Sequence, residues 1–249
     1  MLTGIMEPVL IVLACATAAA LAAPLGVIPL IGRDEFPAWW LAWANAGAAG
    51  MMLAAAFVLA DFGVASDPIP FGLGAALGIA FIHGSRRFSG TEELDLNAPG
   101  EASLAYGYEV LLVGSLHASA EGVAMGAIMA VDLSVGVFLA AALALHNMPE
   151  ATVLAAVFRA RGVSWRRAAT LTVVANAGQV FLAVSTFAVL AAAPAALPWA
   201  LGFAAGALIY LVMVDLLPES YREAGATSIA LVAILAMGAF ALIHGAAGP

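Results

Sequence analysis

The chain has 249 residues, 64% of them hydrophobic and only 10% charged, with a mean hydropathy of +1.06 and a formal net charge of −8. Soluble domains carry about 25% charged residues, so this composition excludes a soluble protein and predicts an integral membrane protein with almost no sequence left for a soluble domain. No nucleotide-binding loop is visible and no nucleic-acid partner is predicted. Cys15 is the single cysteine, which excludes an intrachain disulfide and disfavours a thiolate metal site.

Eight apolar runs follow one another along the chain and are named spans 1 to 8 here. Runs of about 18–25 residues predict transmembrane helices, because roughly 20 residues at 1.5 Å rise cross the hydrocarbon core. Their predicted bounds are about 8–32, 38–61, 67–85, 104–130, 133–158, 166–194, 197–221 and 226–247. Their Ala and Gly content favours closely packed helices over barrel strands. The sequence therefore predicts an all-α polytopic membrane protein with one transmembrane domain over residues 1–249. The start of the chain lacks the positive charge of a signal peptide, so span 1 is expected to be retained.

The arginines predict the orientation of these helices. The chain has eight arginines and no lysine, and every arginine falls after an odd-numbered span. They are Arg33 after span 1, Arg86 and Arg87 after span 3, Arg159, Arg161, Arg166 and Arg167 after span 5, and Arg222 after span 7. Positive residues stay on the cytoplasmic side, so both termini are expected outside the cytoplasm. The alternation also supports the count of eight, because a missed helix would disrupt it.

Two strings of polar residues interrupt the apolar runs of spans 4 and 5. Span 4 contains His117-x-x-x-Glu121, and span 5 contains His146-Asn147-x-x-Glu150. In each string the imidazole and the carboxylate share one helix face. Charged groups in hydrocarbon cost about 2.5–3.5 kcal/mol each, and a divalent metal would neutralise the two carboxylates. Histidine with carboxylate is a ligand set for first-row divalent metals, so the strings predict a buried metal site.

Further polar residues lie in spans 6 and 7. Span 6 contains Asn176 and Gln179, and span 7 contains Asp215 and Glu219 near its predicted cytoplasmic end. An ion pair with the nearby Arg222 and a role in metal binding both remain open for the two acids of span 7. The histidines at helix ends, His83 and His244, are interpreted as interhelical hydrogen-bond partners. The acids of the loop before span 4 are expected to be solvated; they are Glu92, Glu93 and Asp95.

A proline precedes a glutamate in two spans, at Pro149–Glu150 and at Pro218–Glu219. A proline inside a helix removes the hydrogen bond to the carbonyl four residues earlier and kinks the helix. The freed carbonyls would be those of Leu145 and Val214, beside polar residues that are candidate ligands. Broken helices at the bilayer midplane are typical of transporter sites, so these carbonyls are candidate oxygen ligands.

Four segments together resemble the ZIP (Zrt/Irt-like protein) family of divalent metal transporters. Residues 142–155, ALALHNMPEATVLA, resemble the H-N-x-P-E-G helix of that family, and residues 115–126, SLHASAEGVAMG, resemble its partner helix. Residues 204–220, AAGALIYLVMVDLLPES, and the Gly/Ala/Met-rich residues 45–60 resemble two further helices. The resemblance implies eight helices with both termini outside, metal movement into the cytoplasm by rocking of one helix bundle against another, and a homodimer.

The chain departs from that family pattern in spans 4, 5 and 6. Span 4 lacks the usual asparagine after His117, span 5 has Ala151 where glycine is usual, and Gln179 stands at the position of a glutamate. Family members with two adjacent metal sites use that glutamate, so the resemblance implies a single site here or a second site that is weak. Gln179 is expected to add an amide oxygen to the shell of His117, Glu121, His146 and Glu150. Asn147 points about 100° away from His146 on the helix, so it would serve a neighbouring position on the path.

The predicted function is transport of a divalent metal into the cytoplasm across the cell membrane. Zn²⁺ fits the mixed nitrogen and oxygen ligands best, with Fe²⁺, Mn²⁺, Co²⁺ and Cd²⁺ as further candidates; no prosthetic group is expected. Asp215 and Glu219 are candidates for an exit station. The alternatives are an intramembrane metallohydrolase that uses the same site, a metal sensor or scaffold, and a cation-efflux carrier. No His-Glu-x-x-His string occurs to support the hydrolase.

Overall fold

The computed structural model describes residues 2–31, 38–89 and 104–246, and all regular structure within these ranges is helical. Eight stretches of the described residues are long and apolar enough to cross a membrane. They coincide with spans 1 to 8, so the prediction of an all-α polytopic membrane protein with eight transmembrane helices is confirmed. The side chain of His244 and the loop acids Glu92, Glu93 and Asp95 lie outside the described residues.

Five of the spans are single α-helices, and three combine shorter helical pieces. The single helices are Ala38–Ser66 in span 2, Pro68–Ser89 in span 3, Leu104–Val131 in span 4, Leu133–Ala160 in span 5 and Ala226–Ala246 in span 8. The composite spans are Leu2–Ala22 with the 3₁₀ turn Ala23–Leu30 in span 1, Trp165–Ala175 with Ala177–Ala192 in span 6, and Leu197–Leu211, the π-turn Val212–Leu216 and Leu217–Ala224 in span 7.

The connections are shorter than the sequence predicted. Span 2 was predicted to end at residue 61 and span 3 to begin at residue 67, but span 2 remains helical to Ser66 and span 3 begins at Pro68. The Asp67 carboxylate accepts a hydrogen bond from the Ile69 N–H at 3.2 Å, and proline is well tolerated at the first position of a helix. Asp132 alone separates spans 4 and 5, where its carboxylate caps span 5 by accepting from the Ser134 and Val135 N–H groups.

Span 6 was predicted as one helix over 166–194, and this was wrong at its centre. The helix is interrupted at Asn176, whose side-chain amide donates to the Thr172 carbonyl at 2.9 Å. Asparagine side chains compete with the helical backbone for hydrogen bonds, which accounts for a break at this residue. The interruption lies one turn before Gln179, so it sets the position of that side chain.

Glycines allow specific pairs of spans to pack backbone against backbone. Spans 3 and 7 meet in this way, because a Cβ at any of four glycines would overlap a carbonyl of the partner span. These glycines are Gly74, Gly78, Gly202 and Gly206. Gly122 and Gly126 place span 4 against span 6, Gly26 places span 1 against span 5, and Gly50 places span 2 against span 8. Small residues are the usual means of close helix packing in membranes.

The spans thereby form two groups. The first bundle consists of spans 1, 4, 5 and 6, and the second bundle consists of spans 2, 3, 7 and 8. Spans 4 and 5 of the first bundle face spans 2 and 7 of the second. The polar strings of spans 4 and 5 therefore lie in the first bundle, close to the surface where it meets the second.

Candidate metal site

Three of the predicted ligands come together between spans 4 and 5. Glu121 is fully buried and His146 is 3% exposed, whereas Glu150 is partly exposed. The Nε2 atom of His146 lies 2.9 Å from Oε1 of Glu121 and 3.9 Å from Oε2 of Glu150. One ligand atom from each residue lies within 4.8 Å of the other two. We call these residues the three-ligand group.

The spacing of these atoms suits a bound metal ion. Two ligand atoms about 2.1 Å from a tetrahedral Zn²⁺ ion lie about 3.4 Å apart. The two distances from His146 Nε2, 2.9 and 3.9 Å, fall on either side of that value. A small side-chain adjustment would therefore place all three ligands around one ion.

The buried polar atoms of the group lack hydrogen-bond partners. Within the part of the chain that the structure describes, Oε2 of Glu121, Oε2 of Glu150 and Nδ1 of His146 make no hydrogen bond, while Oε1 of Glu121 contacts Nε2 of His146 at 2.9 Å. A buried carboxylate without compensation costs several kcal/mol. The close approach of His146 is thus the main local compensation for Glu121, and a divalent cation would neutralise both carboxylates.

Gly114 gives the group space and was not recognised from the sequence. A Cβ at this position would lie 3.3 Å from Oε1 of Glu150, which is a tight contact. Gly114 lies seven residues before Glu121, two helical turns away on the same face of span 4. That spacing was the available sequence signal, but alanine and glycine are so frequent in these spans that it did not stand out.

The two amides predicted to join the site bind to each other. Asn147 and Gln179 are both fully buried. The side-chain N–H₂ of Asn147 donates to Oε1 of Gln179 at 3.1 Å and to the Ala19 carbonyl at 3.0 Å. The Gln179 oxygen that was expected to complete the metal shell is therefore already a hydrogen-bond acceptor. These bonds join spans 1, 5 and 6 beside the three-ligand group.

His117 lies outside the three-ligand group and contacts span 7 instead. Its Nε2 atom lies 3.2 Å from Oδ2 of Asp215, and its Nδ1 atom lies 2.8 Å from the Val113 carbonyl oxygen. The other carboxylate oxygen of Asp215 pairs with the Arg86 guanidinium. We call Arg86, Asp215 and His117 the Asp215 contact. Because a carboxylate on span 7 holds the imidazole, only three of the four predicted ligands are assembled.

Arg86 was assigned to a loop by the sequence, and this placement was wrong. Span 3 was expected to end at residue 85, but the helix continues to Ser89 and places the Arg86 side chain at 17% exposure beside Asp215. A long arginine side chain can lie along apolar surface while its guanidinium reaches a polar partner. The sequence suggested Arg222 as a partner for the acids of span 7, whereas the ion pair found at Asp215 is with Arg86.

The comparisons with known proteins agree with this architecture. A family model described as ZIP Zinc transporter matches residues 85–244, more than half of the chain. The chain belongs to the ZIP family. A relative from Arabidopsis thaliana with the name "Putative zinc transporter" is 30% identical over 229 residues, which cover 88% of this chain and 36% of the relative. The chain thus spans about a third of the length of that curated relative.

The description of the matched family model bears on the classes of function left open by the sequence. That family is described as one of zinc transporters, which favours a transporter over an intramembrane metallohydrolase. The matched region contains the three-ligand group and the Asp215 contact. Spans 1 and 2 lie before it, although span 1 supplies the Ala19 carbonyl that binds Asn147.

The two Pro-Glu pairs of this ZIP protein differ in structure. Near Pro218 the helix contains the π-turn Val212–Leu216, which includes Asp215, and π-turns inside helices are frequent at functional sites. Pro149 instead lies within the helix Leu133–Ala160, which continues past this proline. The predicted kink and the free Leu145 carbonyl stay predictions. Packing against span 1 stabilises the helix there, since the Thr152 hydroxyl donates to the Gly26 and Met148 carbonyls.

Glu219 and His83, which the sequence also singled out, lie outside the three-ligand group. Glu219 lies half-buried on span 7, one turn beyond Asp215, and is not part of the three-ligand group. Nδ1 of His83 lies 2.9 Å from the Tyr210 hydroxyl, which joins spans 3 and 7. The interpretation of His83 as an interhelical hydrogen-bond partner is confirmed.

Proposed function

We propose that this ZIP-family chain transports divalent transition metals, Zn²⁺ above all, into the cytoplasm through the three-ligand group. The observation that supports this is a fully buried and a partly exposed carboxylate with one imidazole between them and with buried polar atoms that lack hydrogen bonds. Two carboxylates offset the +2 charge of the ion, so the bound metal would be tolerated at this depth. An isolated pair of buried carboxylates would be costly without such a cation.

The mixed ligand set supports Zn²⁺ as the main substrate. One imidazole nitrogen and two carboxylate oxygens suit Zn²⁺, and Fe²⁺, Mn²⁺, Co²⁺ and Cd²⁺ accept the same donors. We propose His117, Asn147 and Gln179 as further ligands when the spans rearrange, and Asp215 and Glu219 as an exit station. Release would be favoured by protonation, because metal ligands must be deprotonated to bind.

The orientation and assembly are proposed from the sequence and the packing. The arginine distribution supports both termini outside the cytoplasm, with the chain acting as one transporter domain over 1–249 in the cell membrane as a homodimer. Close glycine contacts join spans within each bundle, and this supports movement of one bundle against the other as a rigid unit. The metal site would then be exposed to alternate sides of the membrane.

Flux measurements test this function directly. Purified protein in liposomes that contain a Zn²⁺-sensitive dye is expected to show uptake that His146→Ala and Glu150→Ala abolish. His83→Ala is the matched histidine control, since His83 lies near the Tyr210 hydroxyl and is not part of the three-ligand group, so its loss should leave uptake intact. Normal uptake in both site variants would contradict the assignment of the site. Absence of flux with every first-row divalent metal would contradict the function itself.

A further inference from the structure

The geometry of His117 fixes which of its nitrogens is available to a metal. Nδ1 lies 2.8 Å from the Val113 carbonyl oxygen, and because a carbonyl only accepts hydrogen bonds, Nδ1 is the donor. Metal-binding histidines commonly use one nitrogen for the ion while the other donates to a backbone carbonyl. His117 is thus prepared to bind metal through Nε2, yet Nε2 lies 3.2 Å from Oδ2 of Asp215.

His117 is also within reach of the three-ligand group. It lies one helical turn before Glu121 on the same face of span 4. Rotation of its side chain away from span 7 would bring Nε2 toward Glu121 and its neighbours. Nε2 of His117 therefore has two alternative partners: a metal at the three-ligand group in the first bundle, and Asp215 in the second bundle.

Asp215 is positioned to hold His117 away from the metal. Its carboxylate is 21% exposed and is fixed on one side by the ion pair with Arg86 of span 3. Its other oxygen, Oδ2, is buried and faces His117. Arg86 and Asp215 belong to the second bundle and His117 to the first, so this contact crosses the surface between the bundles.

We infer that Asp215 competes with the transported metal for His117: the Asp215 carboxylate holds Nε2 as N–H, whereas the ion takes the lone pair of Nε2 and releases that proton to solvent. The inference rests on the proposed function, and it assigns to the Arg86–Asp215 pair a role as a positioning element that removes one ligand from the ion. With His117 held by Asp215, a bound metal would have the three ligands Glu121, His146 and Glu150 and would be held more weakly. Loss of the contact returns His117 to the site and tightens binding, so affinity depends on how the bundles are placed.

Equilibrium binding in a double-mutant cycle tests this competition. The dissociation constant for Zn²⁺ is measured at one fixed pH, by competition with a chromophoric chelator, in the wild type, Asp215→Asn, His117→Ala and the double variant. We expect Asp215→Asn to tighten binding by about tenfold, which corresponds to about 1.4 kcal/mol. In the His117→Ala background, Asp215→Asn is expected to leave the dissociation constant unchanged, because the imidazole for which Asp215 and the metal compete is absent.

Other results of the cycle overturn the inference. Unchanged or weaker binding in Asp215→Asn would mean that Asp215 does not compete, and equal tightening in both backgrounds would mean that it acts without His117. Asp61→Asn, an exposed carboxylate on span 2, is the matched control and should bind as the wild type does. If Asp215→Asn does not fold, the pair can be replaced together by Arg86→Met and Asp215→Leu, because buried ion pairs tolerate apolar replacement.

Failure of the inference and failure of the proposed function are distinguishable. Glu150→Ala is measured in the same assay, and a strong loss of Zn²⁺ binding there supports the site whatever Asp215 does. Normal binding in Glu150→Ala would reject the site, whereas weak binding in Glu150→Ala with no change in Asp215→Asn would reject the competition alone.

Discussion

The three-ligand group and the Asp215 contact use the same kinds of side chain but differ in how their charges are compensated. In the three-ligand group, two carboxylates share one imidazole, and several of their buried atoms make no hydrogen bond within the described residues. In the Asp215 contact, one carboxylate lies between an arginine and an imidazole, so the guanidinium of the protein itself supplies a permanent positive charge. Proximity of His and acid alone therefore does not identify a metal site, and the balance of charge separates the two regions.

Removal of a carboxylate from the three-ligand group should have the largest effect. Glu121→Gln keeps the shape of the side chain but leaves one carboxylate to balance a divalent ion. Loss of an outer partner of a metal ligand already weakens binding by about 10–100-fold, so we expect at least about 100-fold weaker Zn²⁺ binding. Chelator competition measures it, with Asp215→Asn as the contrasting carboxylate. Equal loss of Zn²⁺ affinity in Glu121→Gln and Asp215→Asn would contradict the view that only the three-ligand group binds the metal.

Crowding of the group should have a smaller effect. Gly114→Val would place methyl groups against Glu150, since even a Cβ would lie 3.3 Å from its Oε1 atom. Overpacking costs about 1–3 kcal/mol, and because the strain falls on a ligand, we expect about tenfold weaker Zn²⁺ binding. Gly84→Val is the matched control, because nothing lies within 4 Å of a Cβ at Gly84. Equal affinities in the two variants would show that the space at Gly114 is irrelevant to the site.

The sequence was sufficient for the architecture of this protein. Length and hydropathy predicted the eight spans. In hydrocarbon the backbone N–H and C=O groups must bond to one another, and an α-helix does this within a single segment. The bounds were less accurate at the end of span 2, which remains helical to Ser66, and Asp67 then binds the N–H of Ile69 at the start of span 3. Such capping bonds act over only two or three residues. Periodicity and hydropathy do not register such local bonds.

Residues that share one helix face were easier to predict from the sequence than contacts between helices. Periodicity placed His117 with Glu121 and His146 with Glu150, because residues four apart share a helix face. It did not reveal that Arg86 would bring Asp215 to His117, since that contact joins residues about 100 positions apart through the packing of spans 3, 4 and 7. Contacts between helices depend on how each helix is rotated about its axis. An almost uniformly apolar span has no polar face from which that rotation could be predicted.

A carboxylate in place of the Gln179 amide should create a second metal-binding position beside the three-ligand group. Gln179→Glu replaces the acceptor of the Asn147 hydrogen bond with a charged oxygen ligand. We expect a second, weaker equivalent of Zn²⁺ per chain or a shift in metal preference, measured by elemental analysis after equilibration at graded metal concentrations. Gln179→Leu is the uncharged control. Unchanged stoichiometry and unchanged preference in Gln179→Glu would reject the idea that this amide limits the protein to one site.

The smallest effect is expected at a histidine whose partner is an ordinary hydroxyl. His83 and Tyr210 join spans 3 and 7 at 2.9 Å, and no carboxylate is part of this contact. Tyr210→Phe removes the hydroxyl but keeps the ring, which should lower stability by about 0.5 kcal/mol because the bond is exposed. Thermal unfolding in detergent should shift slightly, while the Zn²⁺ dissociation constant should not move. A clear change in affinity would show that this imidazole also belongs to the metal path, and that charge balance alone does not tell a ligand histidine from a structural one.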